Sequence, residues 1–580
     1  MPRRLSRSSL LFPSLVGFRL VNSLLLKTHF EPDEYFQSVE VAMAVILGKK
    51  VFTWEWFFGV RSFVFVSVFL LPLKGFHLLS EWAERFLRIY SAEPSRTEGL
   101  LFMAGAPYVV KAVTAVIAAV GDYSTVEAYK LLFKIGPQEV PREAVLATTL
   151  NLGLWLYSTR SHVNSFECAV TVHILHRLLK SAQVRDKAEK RTFHFVTVLM
   201  TAVMAYIRPT SVVNSACAWG YALSQEISSF NRAWMTKEKI SEKNNGNFFR
   251  YFFRYLAVYV RHSRIISLYN LASAGIALFS CILIDSAFYR EPVCSLFEFY
   301  RVNMMHKVSH FFGVLPFVFA PMFLCVLLGA YAAMLLACEI RWSSVEFVSP
   351  ALYLAVHGII AHKEMRFLLP ILPCLNIIVA RNLKSAFSAG DSPKKAAEKT
   401  FWRTASRSLK GLLFSKYVFI GNLAVGILVG IDHQNISRPL EYLRRDCTAR
   451  LKARNEPVFI LSAFNPYMLP MNTYLGHRRI VTRTVDNNPN ILELAKGLEK
   501  KRRFQGKEYR LRLLEYDTIQ ENLVENIMLF GPLDYHYIVL DSRYGTELEQ
   551  RLPEFIKVHE SVHKRVPEHQ SVSVYKQAFK

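Results

Sequence analysis

The run Pro32-Asp33-Glu34 places two carboxylates side by side immediately after a proline. Pro32 biases Glu31 toward an extended backbone, so the pair stands in a loop or at a helix start rather than in a helix interior. Neighbouring carboxylates point in different directions, so one can take a proton from a hydroxyl nucleophile while the other orients. Asp33 is the expected base, with Glu34 second to it. The bland reading is an acidic helix N-terminus favoured by the helix dipole. Far along the chain, His362-Lys363-Glu364 with Arg366 supplies complementary chemistry. His362, Lys363 and Arg366 suit a phosphate, Arg366 being planar and bidentate toward phosphate oxygens. Their bland reading is an interfacial cluster whose charged heads snorkel to water. A group transferred from a lipid phosphate leaves behind a stable anion and needs no general acid, only a carboxylate base for the acceptor hydroxyl and cations for the phosphate.

Other residues carry weaker signals. Trp54 and Trp56, flanking Glu55, can stack on a sugar face or serve as membrane-interface aromatics. Arg160 and Arg208 can contact substrate or pair with buried acids such as Glu167, and Asp285, ending an apolar run, can simply cap its helix. Eight cysteines show no paired Cys-x-x-Cys or Cys/His spacing. They give no zinc site and no disulfide framework. Neither a metal nor another cofactor is expected.

The elements that must position these groups are membrane helices. Of 580 residues, 52% are hydrophobic and 13% aromatic, and the mean hydropathy is +0.18, too apolar for an ordinary soluble chain. Apolar runs at 100–120, 265–284, 311–337, 347–361 and 411–431 imply roughly ten to twelve spans at about 20 residues each. The shorter runs 145–157 and 194–207 can span only with their flanks or lie as buried pieces. The net charge of +25 would point to nucleic acid in a soluble protein. Here the cations cluster between apolar runs, so the expected surroundings are a lipid bilayer and not nucleic acid.

Those basic stretches orient the chain. Arg3, Arg4 and Arg7, the segments 180–191 and 237–264, and the segment 381–410 with eight Lys or Arg against two acids all belong in the cytoplasm by the positive-inside rule. Leu10 to Leu26 reads as a first membrane helix and not a cleaved signal, because no small-residue cleavage site follows. It delivers a loop of about residues 27–58 to the lumen. The helix preceding segment 381–410 must begin on that side too, so His362 to Phe367 shares a face with Asp33 and Glu34. For the signs to work, Phe166 to Lys180 must not span.

Two units follow: a membrane module over residues 1–431 and a polar C-terminal domain over 438–580. In the latter, Val458 to Ala463, Tyr537 to Leu540 and Val572 to Tyr575 read as strands, and Asn488 to Lys501 and Thr518 to Met528 as helices. The expectation is a small lumenal α/β domain. The sequon Asn435-Ile436-Ser437 lies beside the bilayer.

The run THFEPDEYFQSVEVAMAVILGKKVFTWEWFFGVRS, Thr28 to Ser62, resembles the first lumenal loop of dolichol-phosphate-mannose-dependent mannosyltransferases of glycosyltransferase family 22. Further matches are Thr159-Arg160 with Asn164 to Glu167, Arg208-Pro209-Thr210, Asp285-Ser286 with Phe288-Tyr289, and His362 to Glu364 with Arg366-Phe367. The C-terminal domain adds an Asn465-Pro466-Tyr467 turn and a last strand ending near Tyr575, so the likeness covers nearly the whole chain. It is closest to the branch acting on the glycosylphosphatidylinositol (GPI) anchor. One departure is Ser309 to Pro316, SHFFGVLP, where members carry a His-Pro-Trp-His-Trp-Tyr run before Gly-x-Pro. The resemblance implies a mostly α, polytopic GT-C fold in the endoplasmic reticulum membrane, inversion at the donor carbon and no required metal. It implies dolichyl phosphate mannose as donor and a GPI-precursor glycolipid as acceptor. It also marks Arg61, Trp54, Trp56, Arg160 and Arg208 as substrate-binding candidates. A transferase for a different GPI mannose or for the N-glycan precursor is the alternative. A transporter would place its charges within broken helices at mid-bilayer, whereas the densest acidic and aromatic cluster here lies in a loop.

Overall fold

The computed structural model describes residues 7–28, 33–49, 53–89, 99–238, 267–388, 416–432, 437–462, 471–484, 502–509, 536–541, 545–561 and 572–577, with breaks of one or two residues in some of these, and a few isolated positions. Up to residue 432 the described elements are helical. In lipid every backbone N–H and C=O must be satisfied within its own segment, so long apolar runs resolve into helices. They are α1 (Arg7–Leu25), α2 (Asp33–Phe36), α3 (Val39–Leu47), α4 (Trp54–Phe57), α5 (Phe63–Ile89), α6 (Leu100–Leu132), α7 (Arg142–Thr149), α8 (Leu152–Tyr157) and α9 (Val163–Ser181). There follow α10 (Lys187–Ile207), α11 (Ser211–Glu238), α12 (Leu268–Tyr289), α13 (Phe319–Leu328), α14 (Ala330–Leu336), α15 (Val345–Ile359), α16 (Leu372–Ser388) and α17 (Lys416–Asp432).

Among the described residues, Ser8–Leu25, Phe63–Phe86, Leu100–Leu132, Leu268–Tyr289 and Met365–Lys384 are long and apolar enough to cross a membrane. The pair α13 and α14 is a sixth if its 108° bend is one broken span. Gly329 makes that bend with φ at 55°, and a Cβ there would sit 2.7 Å from Asn422 Oδ1. Positive φ and close approach both require glycine. The chain is a multi-pass membrane protein.

Polar ties fix the direction of each helix. α1 and α6 run antiparallel: Arg19 grips Asp122 with two hydrogen bonds of 2.6 and 2.8 Å, and Lys111 Nζ donates to Leu26 O at 3.2 Å. The end of the bundle where α1 finishes also holds Arg160, after α8, which donates to Thr28 O at 2.7 Å. α9 starts at this end, Ser161 O accepting from Ser38 Oγ. α10 begins at the far end, where His194 meets Ser181 at 3.1 Å. α12 finishes at the near end, where Asp285 accepts from Ser62 Oγ, Phe63 N and Tyr206 OH at 2.8–3.0 Å. α17 ends there too, Gly430 O accepting from Lys27 N at 3.1 Å.

Phe166 to Lys180, expected not to span, lies inside the unbroken 19-residue helix α9, about 28 Å long at 1.5 Å per residue and so close to the thickness of the hydrocarbon core. The helix whose two ends come to the same side of the bundle is α5. It starts beside Asp285 and ends where the Glu84 carboxylate accepts from Gly99 N (2.6 Å) and Leu101 N (2.8 Å) at the start of α6. Both ends of α5 thus sit at the end of the bundle where α1 finishes, which length and hydropathy alone could not reveal. The two shorter apolar runs fall in the broken pair α7–α8 and in α10, whose N-cap Asp186 accepts from Glu189 N at 2.7 Å.

After α17 come α18 (Ser437–Arg454), β1 (Val458–Ser462), α19 (Met471–Tyr474), β2 (Ile480–Thr484), β3 (Arg502–Phe504), β4 (Lys507–Tyr509), β5 (Tyr537–Asp541), α20 (Gly545–Arg551), β6 (Phe555–Ser561) and β7 (Val572–Gln577). Strands β2-β1-β5-β7-β6 form one sheet, with β1 parallel to β2 and β5, and β7 antiparallel to β5 and β6. The three expected strands are present. The expected helices at 488–501 and 518–528, the 465–467 turn and most of the 435–437 sequon lie outside the described residues. Leu440, Leu443, Ile460 and Val539 share a buried core with Leu100 and Met103 of α6. Glu40, buried on α3, accepts from Asn472 N (3.1 Å) and Thr473 N (2.8 Å), and Lys49 Nζ donates to Ile480 O at 3.0 Å. This unit therefore rests directly on the segment carrying Asp33 and Glu34.

Candidate active site

Asp33 and Glu34 open α2, a single turn, and their environments diverge. The Asp33 side chain is 31% exposed and accepts from Arg366 Nη2 at 2.6 Å. Glu34 is 7% exposed and accepts from Arg160 Nη1 at 2.9 Å. Arg160 is further held by Thr28 O, Thr28 Oγ1 and Leu156 O at 2.6–2.9 Å. Glu34 is thereby committed to a buried ion pair, and Asp33 is the carboxylate that reaches solvent. Arg160 pairs with this neighbouring carboxylate and not with Glu167.

The corner between α15 and the 3-10 turn Met365–Ile371 brings the second cluster to the first. Arg366 bridges Asp33 and Glu364, and His362 Nε2 lies 2.7 Å from Glu364 Oε1. Burial alone would raise Glu364, but the Arg366 charge and the His362 hydrogen bond pull it down to about 2. For His362 burial opposes the charged form, yet the hydrogen bond and charge of Glu364 outweigh it and leave the imidazole above its usual value. Lys363 departs from its expected role. Its Nζ donates to Leu315 O at 2.7 Å and to Ile360 O, fastening the 313–316 segment to this corner. An ammonium committed to two carbonyls is a structural tie more than a phosphate clamp.

Glu55 and Arg61 join the cluster. Arg61 Nε donates to Glu55 Oε1 at 2.9 Å. Burial raises Glu55, and the charges of both Asp33 and Arg366 act on it, so the four groups form one electrostatic unit. Sequence reasoning placed Arg61 at the site but missed Glu55, although a carboxylate between two tryptophans and six positions before an arginine was a usable signal. Trp56 is 1% exposed, donates Nε1 to Phe36 O at 3.0 Å and stacks on Tyr289. It is a core residue rather than a sugar platform. Trp54 begins the same helical turn, and its side chain lies outside the described residues. Asp285 does not cap α12 but lies inside it, and by accepting from Ser62 Oγ and Phe63 N it anchors the loop carrying Arg61.

Arg208, at the end of α10, lies 3.5 Å from Glu167, and its guanidinium sits 4.8 Å above the Phe367 ring. Glu167 Oε1 also accepts from Tyr353 OH at 3.1 Å. Arg208 feels the charges of Arg61 and Arg366, and the Arg208 and Arg366 guanidinium groups both lie over the Phe367 ring, at 4.8 and 5.7 Å. Among the described residues no group of three or more His, Cys, Asp or Glu side chains is gathered to hold a metal ion. The arrangement can lower the cost of negative charge through three arginines while presenting one accessible carboxylate as a base.

The fold resembles that of ArnT from Cupriavidus metallidurans, solved bound to undecaprenyl phosphate, with a TM-score of 0.51 over 97% of both chains at 11% identity. Multi-pass helices, a first loop folded over their ends and a terminal sheet define a membrane protein of GT-C architecture. Residues 10–476 match the Alg9-like mannosyltransferase family, and the chain belongs to that family. Among its relatives are GPI mannosyltransferase 3 of Yarrowia lipolytica (26% identity; 70% of this chain, 66% of that one) and of Candida glabrata (25%; 65% and 64%). Another is GPI alpha-1,2-mannosyltransferase 3 of Homo sapiens (22%; 77% and 67%). The matched regions thus span about two thirds of these relatives' lengths.

Proposed function

We propose that this protein transfers mannose from dolichyl phosphate mannose to a GPI precursor, adding the third, α1,2-linked mannose on the lumenal side of the endoplasmic reticulum membrane. The observation that carries this reading is Asp33, an accessible carboxylate bonded to Arg366 beside Arg61 and Arg208. The relatives' names supply the substrate class. Asp33 takes the proton from the acceptor mannose 2-hydroxyl as its oxygen attacks the anomeric carbon. The carbon–oxygen bond to the phosphate breaks, and dolichyl phosphate leaves as an anion. A β-linked donor and an α-linked product need one inverting displacement and no covalent sugar–enzyme intermediate.

Arg366 couples the two substrates. A donor phosphate that engages the Arg366 fork competes with Asp33 for it and leaves the carboxylate a stronger acceptor for the hydroxyl proton. His362 positions Glu364, which holds the same Nη2 of Arg366 that meets Asp33. The test is the glycolipid that accumulates in cells depleted of the protein, together with transfer by the purified protein. A GPI intermediate with two mannoses is expected. Accumulation of an N-glycan precursor, or of a GPI lipid already carrying three mannoses, overturns the reading.

A further inference from the structure

A cavity of about 240 Å³ lies on the Glu34 flank of α2, away from the corner that holds Arg366. One wall is membrane helix, contributing Lys27 and Lys111, and the opposite wall is the C-terminal unit, contributing Glu441, Arg444 and Tyr474. Arg160 and Glu34 form its floor. Four cations line it, Lys27, Lys111, Arg160 and Arg444, against the two carboxylates Glu34 and Glu441, and Glu34 is already paired with Arg160, so the cavity is net positive and favours an anion. Its rim includes Leu24 and Tyr108, both exposed apolar side chains on neighbouring membrane helices. The opening therefore faces sideways toward acyl chains as well as toward water. The volume is below the ~300–1,000 Å³ typical of a whole small-molecule site, so it suits one part of a headgroup.

The two consecutive carboxylates divide the site. Asp33 meets the arginine cluster proposed for the donor phosphate, whereas Glu34 lines a second, basic, lipid-accessible cavity. A base that acts between two lipid-borne substrates needs such an approach on each flank. We propose that this cavity takes the phosphate of the glycosylphosphatidylinositol acceptor, and that the C-terminal unit serves the enzyme by closing it. The acceptor's identity rests on the function proposed above; the cavity and its walls do not. Glu40 and Lys49 hold that wall in place through Asn472, Thr473 and Ile480.

Arg444 provides the test, because its Nη1 donates only to Ala104 O among the bonds described, at 3.1 Å, on a partly exposed surface. In the full-length purified protein, Arg444→Ala should raise KM for a phosphate-bearing dimannosyl GPI acceptor about tenfold or more, since a hydrogen bond to a charged group is lost. KM for dolichyl phosphate mannose should stay unchanged, and Arg444→Lys should recover part of the loss. A dimannosyl glycan lacking phosphate should be used equally well by both proteins. A rise in donor KM, or an equal rise for the phosphate-free glycan, overturns the proposal. Equilibrium binding of the same GPI lipid to detergent-solubilised protein needs no turnover, so it tests the cavity even if the proposed transfer fails. Equal binding by wild type and Arg444→Ala, or competition by plain phosphatidylinositol or dolichyl phosphate as strong as by the glycolipid, would count against it.

Discussion

Arg366 Nη2 lies 2.6 Å from Asp33 Oδ2, a contact between residues 333 positions apart. The same guanidinium bonds Glu364, so Arg366 joins two half-buried carboxylates, one from the corner and one from the first loop. Both carboxylates meet the same nitrogen, Nη2, which ties Asp33 and Glu364 to one edge of the guanidinium. The pairing joins the first loop to the opposite side of the bundle, and it places a cation against the residue proposed as the base.

Asp33→Asn should lower turnover by about 10²- to 10⁴-fold, the usual contribution of a positioned base, with donor affinity unreduced or improved because the carboxylate no longer competes for Arg366. Arg366→Ala should weaken donor binding and slow transfer together, because its contacts exist before and during the reaction. Arg366→Lys should restore charge but not the planar guanidinium that suits phosphate oxygens, leaving turnover well below wild type. Near-normal turnover in Asp33→Asn would move the base elsewhere.

The sequence indicated that the two clusters share one side of the membrane, because basic loops and helix parity constrain topology strongly, and the Arg366–Asp33 bond brings them together. It could not reveal that Lys363 is tied to Leu315 O, since that bond depends on how the 313–316 segment returns to the corner. Trp56 misled for a related reason: an indole near a charged loop reads as interfacial, and only packing against Tyr289 shows it to be core. Residues 63–89 form an apolar run of membrane length, and only the ties at Phe63 and Glu84 bring both ends of α5 to one side. Arg19 and Asp122, each within an apolar run, gave no sign of being partners.

Arg19 and Asp122 are both nearly fully buried, and their two hydrogen bonds join α1 to α6. Removing one partner strands a charge, at a typical cost of about 3–5 kcal/mol. Asp122→Asn should therefore lower the unfolding temperature and membrane yield markedly. Replacing both by leucine should recover most of the loss, because well-packed apolar pairs commonly match buried ion pairs. A double variant as unstable as the single one would show that the pair has a role beyond mutual neutralisation.

The His362–Glu364 pair sets a pH dependence. His362 is raised above its usual value, so its contribution to folding is fully present below the unfolded value, about 6.5, and is lost as pH rises through the raised value. Glu364, held at about 2, stays ionised across that interval. The unfolding temperature of wild type minus that of His362→Gln, measured from about pH 5.5 to 8.5, should be largest at the acid end and shrink with rising pH. A gap that is flat or widens with pH would contradict the assignment.

The last prediction concerns how often the chain crosses the bilayer. With α5 lying along one face, α1, α6, the α7–α8 pair, α9, α10, α11, α12, the α13–α14 pair, α15, α16 and α17 alternate in direction. Each basic segment at 180–191, 237–264 and 381–410 then falls on the same side as residue 7. That makes eleven crossings among the described residues, and it removes the sign conflict that made Phe166 to Lys180 look unable to span. Arg85, near the end of α5, is then lumenal with Asp33, while Gln138, bonded to Ser8 at 3.0 Å, is cytoplasmic. In sealed microsomes a membrane-impermeant maleimide should label Gln138→Cys above the background of the native cysteines, and Arg85→Cys only after the vesicles are opened. Labelling of Arg85→Cys in intact vesicles would make α5 a true span, and would force α6 and the C-terminal wall of the proposed acceptor cavity onto the wrong side of the membrane.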